Sequence, residues 1–182
     1  ITGCGPVGLS AIMAAKIAGC TQIIACDVVP SRLELAKELG ATDTVNSRET
    51  EDVPAHVKKI SGDGTNYAID CTGIGACVRQ SLNCTRSLGI CVVLGATQEL
   101  TINVENELMG TGKTLAGLVE GCSNPKIFIP QLLDYYRKGM FPFDKLIKYY
   151  DFKDINQAFD DTKSGKVLKA VLCMRWQEEI ND

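Results

Sequence analysis

The feature that most constrains this chain is a glycine turn placed at the head of an alternating pattern. Gly3-Cys4-Gly5-Pro6-Val7-Gly8 reads G-x-G-x-x-G and runs straight into an Ala-rich stretch, Val7 to Ala18, with helical spacing. In such a turn the first glycine permits a tight bend. The second lets backbone approach a pyrophosphate, and the third lets helix pack on strand. Phosphates would sit on the amides of the helix that begins near Val7. The motif alone is weak, because glycine-rich turns are common. Its setting strengthens it: Asp27 ends the next apolar run, Ile23 to Cys26, about 19 residues after Gly8. A carboxylate there would accept from adenosine ribose hydroxyls. It would also repel a 2′-phosphate, which favours NAD over NADP, although the nearby Arg32 could hold a phosphate and blur that choice.

The pattern continues as short apolar strands separated by helices. Ser31 and Glu34 form an S-x-x-E capping box that opens a helix, and Gly40 closes it. Thr44 to Asn46 reads as a strand. Asp52 and Pro54 start a helix that fades at Ser61-Gly62-Asp63-Gly64. Tyr67 to Cys71 and Gly89 to Leu94 are buried strands around a helix from Ala76 to Thr85. Leu100 to Val104 alternates, as an edge strand or an excursion. Thr114 to Val119 is a further strand. Continuously apolar short strands alternating with helices define a doubly wound parallel sheet, an α/β fold of the Rossmann type, with ligands at the carboxyl ends of the strands. Two more strand ends then face the same crevice, Asp70-Cys71-Thr72-Gly73 and Leu94-Gly95-Ala96.

After Glu120 the texture changes. Asn124-Pro125 caps a helix running to Gly139, Pro142 breaks the chain, and Ile147 to Phe152 is a strand. Asp154 to Lys163 is a helix, Val167 to Met174 a strand, and Gln177 to Asp182 a polar, frayed tail. The expected domains are therefore 1–120, a dinucleotide-binding unit, and 121–182, a segment that packs elsewhere. Only Ile1 and Thr2 precede the glycine turn, where a strand of about five or six residues is usual, so the numbering is expected to start partway through a strand.

Composition bounds the alternatives. The 182 residues are 45% apolar, carry a net charge of -3 and show no basic stripe, which argues against nucleic acid or an anionic membrane surface as partner. No apolar run reaches the roughly 18 residues of a membrane span, and no secretion signal is visible. The nine cysteines are odd in number, never spaced C-x-x-C and mostly set in apolar stretches, so reduced, buried cysteine in a cytoplasmic protein is expected. The single histidine, His56, has no ligand partner at helical spacing and reads as a surface residue. Three decoys fail. Gly110-Thr111-Gly112-Lys113-Thr114 ends like a phosphate loop, but Glu107 replaces its first glycine and a strand follows. Tyr149 and Lys153 have Y-x-x-x-K spacing, but that pair needs a helix to set both side chains on one face, and Ile147 to Phe152 reads as a strand. Glu120 has no partner that would make it an acid-base group.

These residues resemble the C-terminal part of the zinc-containing medium-chain alcohol dehydrogenases, and most closely their aryl-alcohol branch. The carriers are Gly3 to Leu9, Ser31 to Thr42, Asp70 to Gly73, Leu115 to Gly121, Asn124-Pro125, Phe141 to Leu146, and Ser164-Gly165-Lys166 before Lys169. The resemblance runs in order over nearly the whole chain. It implies coenzyme contacts from Gly3, Gly5, Pro6, Val7, Gly8, Asp27, Arg32, Thr72, Leu94, Gly95, Ala96, Leu118, Val119 and Lys169, the last toward the pyrophosphate. It implies NAD as coenzyme, and zinc in the parent protein but not in this chain, whose cysteines do not match the family's ligand positions. The reaction implied is hydride transfer between a primary, aromatic alcohol and NAD, with no catalytic residue supplied here and the chain inactive alone. It implies a homodimer or tetramer through the edge strand 114–119. A zinc-free NAD(P)-dependent reductase of the same superfamily and a non-catalytic NAD-binding module remain the alternatives.

Overall fold

The computed structural model describes residues 1–174, and the contacts divide the chain into two compact units, the first Ile1–Phe141 and the second from Pro142 onward. The division falls after Phe141 rather than at Glu120. The expected frayed tail from Gln177 lies outside the described residues.

The first unit holds five parallel strands, β1 (Ile24–Asp27), β2 (Asp43–Asn46), β3 (Thr65–Asp70), β4 (Thr85–Val93) and β5 (Thr114–Gly117). Ile1 to Gly3 occupy a central lane between β1 and β3. The Thr2 amide donates to the Ile69 carbonyl (2.9 Å), the Gly3 amide to that of Cys26 (2.8 Å), and Thr2 bridges both Cys26 and Asp70 in parallel sense. The lane order is thus β2, β1, residues 1–3, β3, β4, β5. From the central lane the chain steps outward through β1 to β2, then jumps back to β3 and steps the other way. Right-handed crossovers put the helices of opposite steps on opposite faces. α1 (Pro6–Ile17) and α2 (Pro30–Leu39) accordingly pack on one another, as do α3 (Val53–Ser61) and α4 (Gly75–Cys84). The reversal leaves a crevice at the carboxyl ends of the central lane and β3, where the order switches.

The core follows from this arrangement. α1 buries Leu9, Ile12 and Met13, and α2 buries Leu33, Ala36 and Leu39. On the other face Val53 and Val57 of α3 join Ile24, Cys26, Val45 and Cys84. Leu82 of α4 meets Ala68 and Cys91, and Ile102, Leu108 and Leu115 close over them.

Local rules explain most boundaries, and three expectations need correction. α2 starts at Pro30, with Val29 as its N-cap and no side-chain cap, so the Ser31/Glu34 box does not form. Proline at the first helical position pre-sets φ and starts the helix a residue early, and Glu34 pairs with Lys37 instead (3.0 Å). α3 does use Asp52 as its cap, accepting from the Ala55 amide (2.9 Å), and ends on left-handed Gly62. β4 begins at Thr85, earlier than the apolar run, because an irregularity in its pairing with β3 absorbs the polar residues, with Leu88 at φ 63°. Leu100 to Val104 forms no strand. It leads into a single π-type turn, Glu105–Met109, closed by the Gly110 amide on the Glu105 carbonyl (2.7 Å) and tied to α4 through Glu107. α5 (Pro125–Arg137), capped by Asn124, completes the unit and buries none of its side chains.

The second unit pairs β6 (Ile147–Asp151) in parallel with β7 (Lys169–Cys173) around α6 (Ile155–Lys163). Its core is Tyr150, Ala158 and Val167. Asp161 is buried in it and gathers the Tyr150 hydroxyl (2.6 Å), the Gln157 amide (2.8 Å) and the Lys166 ammonium (3.3 Å). Led by the Tyr150 bond, these donors pull the Asp161 carboxyl down to about 2.

Candidate coenzyme-binding site

The three motif glycines do three different jobs. Gly3 sits at φ 89°, where side chains are strained, and a Cβ on it would meet Thr72 Cγ2 at 2.9 Å. A Cβ on Gly8 would overlap the Gly3 carbonyl oxygen, so the first turn of α1 rests directly on the bend. A Cβ on Gly5 would meet nothing within 4 Å. Gly5 therefore leaves open room rather than fitting a neighbour, which is the property a backbone needs where a ligand comes close. Gly5 is the N-cap of α1, Pro6 follows at N1, no side chain caps the helix, and no acid lies in its first turn. The N-terminal amides and the positive end of the helix dipole are thus offered to an anion. Val7, 55% exposed, stands at this rim.

Asp27 ends β1 beside the turn and is buried. Its Oδ2 accepts from the Cys4 amide (2.6 Å), and its Oδ1 accepts from the amides of Val28 (2.7 Å) and Val29 (2.9 Å). A carboxylate has about four lone-pair positions, so one remains, on Oδ2. That position can take a single ribose hydroxyl. Arg32, on the first turn of α2, is half-buried, and its Nε is enclosed without an acceptor.

The strand ends past β3 and β4 close on each other through backbone. The Leu94 and Gly95 amides both donate to the Asp70 carbonyl (2.9 and 3.1 Å). A Cβ on Gly95 would overlap the Gly73 amide nitrogen, and one on Gly73, at φ 74°, would sit 3.2 Å from the Ala96 carbonyl oxygen. The side chain of Asp70 is fully buried and receives the Thr72 amide (3.0 Å) and hydroxyl (3.1 Å). Burial pushes its carboxyl up, and the Thr72 and Gly73 donors oppose that. The structure thus brings Gly3 to Gly8, Asp27, Thr72 and Leu94 to Ala96 to one end of one sheet. Leu118 and Val119 follow β5 at that same end, the Leu118 amide donating to Val93 (3.3 Å). After them come three left-handed residues in succession, Glu120, Gly121 and Cys122 (φ 48°, 66° and 49°). Lys169 opens β7 in the second unit, opposite Ile147.

Two neighbours of the site escaped sequence reasoning. Val28 and Ile74 are 43% and 55% exposed, each just beyond a strand end of the crevice. An aliphatic residue directly after the terminal acid of β1 is the signal that marks Val28, whereas no local signal marks Ile74, which follows Asp70 only after Cys71, Thr72 and Gly73.

All nine cysteines are free, but Cys4, Cys26, Cys84 and Cys91 alone are buried, while Cys20, Cys122 and Cys173 are exposed. Burial pushes Cys4 and Cys84 up to about 12 and Cys71 and Cys91 to about 11, so none of these is a thiolate nucleophile near neutral pH. His56 is exposed, Lys113-Thr114 enters β5 rather than a helix, and Tyr149 lies on β6, as the readings of those decoys expected. Among the described residues no three His, Cys, Asp or Glu side chains group as metal ligands, and no helix is long and apolar enough to cross a membrane.

An anion-ready helix N-terminus, a carboxylate at the end of the neighbouring strand and a topological switch between them define a Rossmann-type nucleotide-binding fold. The family model described as zinc-binding dehydrogenase matches residues 6–134, and the chain belongs to that family. It is 34% identical over 174 residues to a geraniol dehydrogenase of Castellaniella defragrans, covering 94% of this chain and 47% of that protein. Two crystal structures are similar at 45% identity. One is an alcohol dehydrogenase zinc-binding domain protein from Burkholderia ambifaria (TM-score 0.92, 96% of this chain, 48% of that one). The other is a benzyl alcohol dehydrogenase from Acinetobacter calcoaceticus (TM-score 0.90, 94% and 48%). The chain spans about half the length of these relatives.

Proposed function

We propose that this chain is the NAD-binding half of an alcohol dehydrogenase that passes hydride between a primary, aromatic alcohol and NAD. The observation that carries the reading is the glycine turn. Gly8 seats α1 on the Gly3 carbonyl while Gly5 leaves its outer side clear, beside a carboxylate with one free lone pair. When bound, the nicotinamide supplies the hydride chemistry. Gly5, Pro6, Val7 and Gly8 present the start of α1 to the pyrophosphate. Asp27 takes a ribose hydroxyl and disfavours a 2′-phosphate. Arg32, on the first turn of α2, is the candidate cation beside the same nucleoside, and Val28 and Ile74 give its base apolar flanks. Thr72, Leu94, Gly95, Ala96, Leu118 and Val119 are the candidates for the nicotinamide end, where backbone packed on backbone shapes the floor.

Similarity to a geraniol and a benzyl alcohol dehydrogenase supports an alcohol or aldehyde as substrate and, with the branch resemblance, an aromatic one. The metal expected of the family, and the catalytic residues, would belong to protein outside this chain. The free edge of β5 suits pairing with a second copy in a homodimer or tetramer, and nine unpaired cysteines suit the cytoplasm. The two expected domains stand in the same way as readings of role: a nucleotide unit to about Glu120 and a segment beyond it that serves the catalytic half.

Calorimetric titration with NADH and NADPH tests the proposal. Tighter binding of NADH is expected. A preference for NADPH would favour a zinc-free reductase, and no heat with either coenzyme would overturn the site.

A further inference from the structure

We infer that Asp27 is a positioning residue that fixes the shape of the glycine turn, so that it governs the binding of either coenzyme and not the ribose alone. The inference rests on the coenzyme site proposed above. Three main-chain amides converge on this one buried carboxylate. Two, from Val28 and Val29, fold the chain leaving β1 back on itself. The third, from Cys4, lies between the first and second motif glycines and is buried (2.6 Å). Gly3 and Gly5 flank Cys4, and glycines hold a bend less firmly than any other residue because they have more conformations to lose. The turn is also tied by main-chain bonds on either side, Gly3 to Cys26 (2.8 Å) and Leu9 to Gly5 (2.9 Å). Between those anchors the Cys4 amide is directed at Asp27. A short, charge-assisted bond there is of the strong kind, and it sets where the Gly5 amide and the start of α1 point. Of the four lone-pair positions three serve the backbone, so by count this side chain does more for the turn than for a ligand.

Asp27→Asn separates the two roles by sign. Asn keeps the shape but replaces one oxygen by a donor, so at least one of the three amides must face another N–H. It also removes a negative charge. If Asp27 only reads the ribose, the variant binds NADH less well and NADPH better, because repulsion of the 2′-phosphate is gone. If Asp27 holds the turn, both coenzymes bind roughly tenfold or more weakly, NADPH included, against the direction that charge removal favours. Asp27→Glu keeps the charge and its reach toward a ribose while displacing the three short bonds, and it too should weaken NADH.

The experiment is calorimetric titration of wild type and both variants with NADH and NADPH, alongside amide hydrogen exchange of the uncomplexed protein. The expected result is weaker binding of both coenzymes by Asp27→Asn, with faster exchange at Cys4 and unchanged protection in β3 and α4. Tighter NADPH binding by Asp27→Asn, or unaltered exchange at Cys4 in both variants, would overturn the inference. Wild type that binds neither coenzyme would sink the proposed site, and the Cys4 exchange would still decide the tie.

Discussion

Removing Glu107 should be the most informative single change outside the crevice. Glu107 lies in the π-type turn, is 9% exposed, and fills its acceptor capacity. Oε1 accepts from Arg79 Nε (2.7 Å) and Asn83 Nδ2 (2.8 Å), and Oε2 from Arg79 Nη2 (3.0 Å) and the Asn103 amide (2.6 Å). In Glu107→Ala the Arg79 guanidinium, half-exposed, can turn to water, so its two bonds are lost at little net penalty. Asn103 is likewise exposed, so its N–H can meet water, while the Asn83 amide, only part-exposed, is left without the carboxylate. At roughly 1–3 kcal/mol for that one stranded donor, the expected loss is about 2 kcal/mol. For a chain of this size that lowers Tm by about 4–8 °C. The Arg79 bond, then the Asn103 amide, hold the Glu107 carboxyl down at about 2, against 4.5 for an unperturbed group. A carboxyl depressed in the folded state contributes stability above its unfolded pKa, and that contribution drains away as pH falls from about 4.5 toward 2. Urea unfolding at pH 7 and pH 3 should therefore show a variant deficit that is full at pH 7 and smaller at pH 3. A deficit below about 0.5 kcal/mol at pH 7, the range of an inert surface change, would refute the reasoning, as would a deficit that does not shrink in acid.

Three further outcomes follow. Gly8→Ala forces a methyl into the Gly3 carbonyl and should abolish NADH binding and lower Tm; calorimetry showing wild-type affinity would contradict the packing argument. Titration of the native protein with a thiol reagent near pH 8 should find Cys20, Cys122 and Cys173 fast, and Cys4, Cys26, Cys84 and Cys91 reactive only on unfolding; peptide mapping of the labelled sites would expose an error. Tyr150→Phe removes the leading donor to Asp161, so the carboxyl should titrate higher and acid unfolding should begin at higher pH, measurable by circular dichroism against pH.

Much of this fold is legible because its signals are local. The glycine turn, the Asp52 and Asn124 caps and the closing glycines Gly40 and Gly62 each act within one turn of chain, and the structure places them where their chemistry requires. Legibility fails where a competing local rule or a distant partner decides. Pro30 outranks Ser31 because a fixed φ needs no hydrogen bond. The Glu105–Met109 turn exists because Glu107 reaches Arg79 and Asn83 on α4, twenty-eight and twenty-four residues earlier, and no window of sequence contains that. Cysteine burial was overread for a related reason: Cys20, Cys122 and Cys173 lie at a helix end, a left-handed turn and the end of a strand, where burial depends on what lies across from them. For the site, the residues were visible but their obligations were not. Spacing marks Asp27 as a ribose acceptor, and only the coordinates reveal the three amides that it already serves.

The contact between Gly73 and Gly95 sets a boundary on how such a protein can be altered. Where two turns meet amide against α-carbon with no room for a methyl group, the floor of the crevice offers nothing to a mutagenesis library. Every substitution there changes the course of the main chain before it changes the chemistry presented to a bound molecule. Diversity is confined to the rim, to Val7, Val28, Arg32 and Ile74, whose side chains are at least partly open to solvent. A campaign to retune coenzyme choice should spend its codons on those four positions and leave the two glycines fixed.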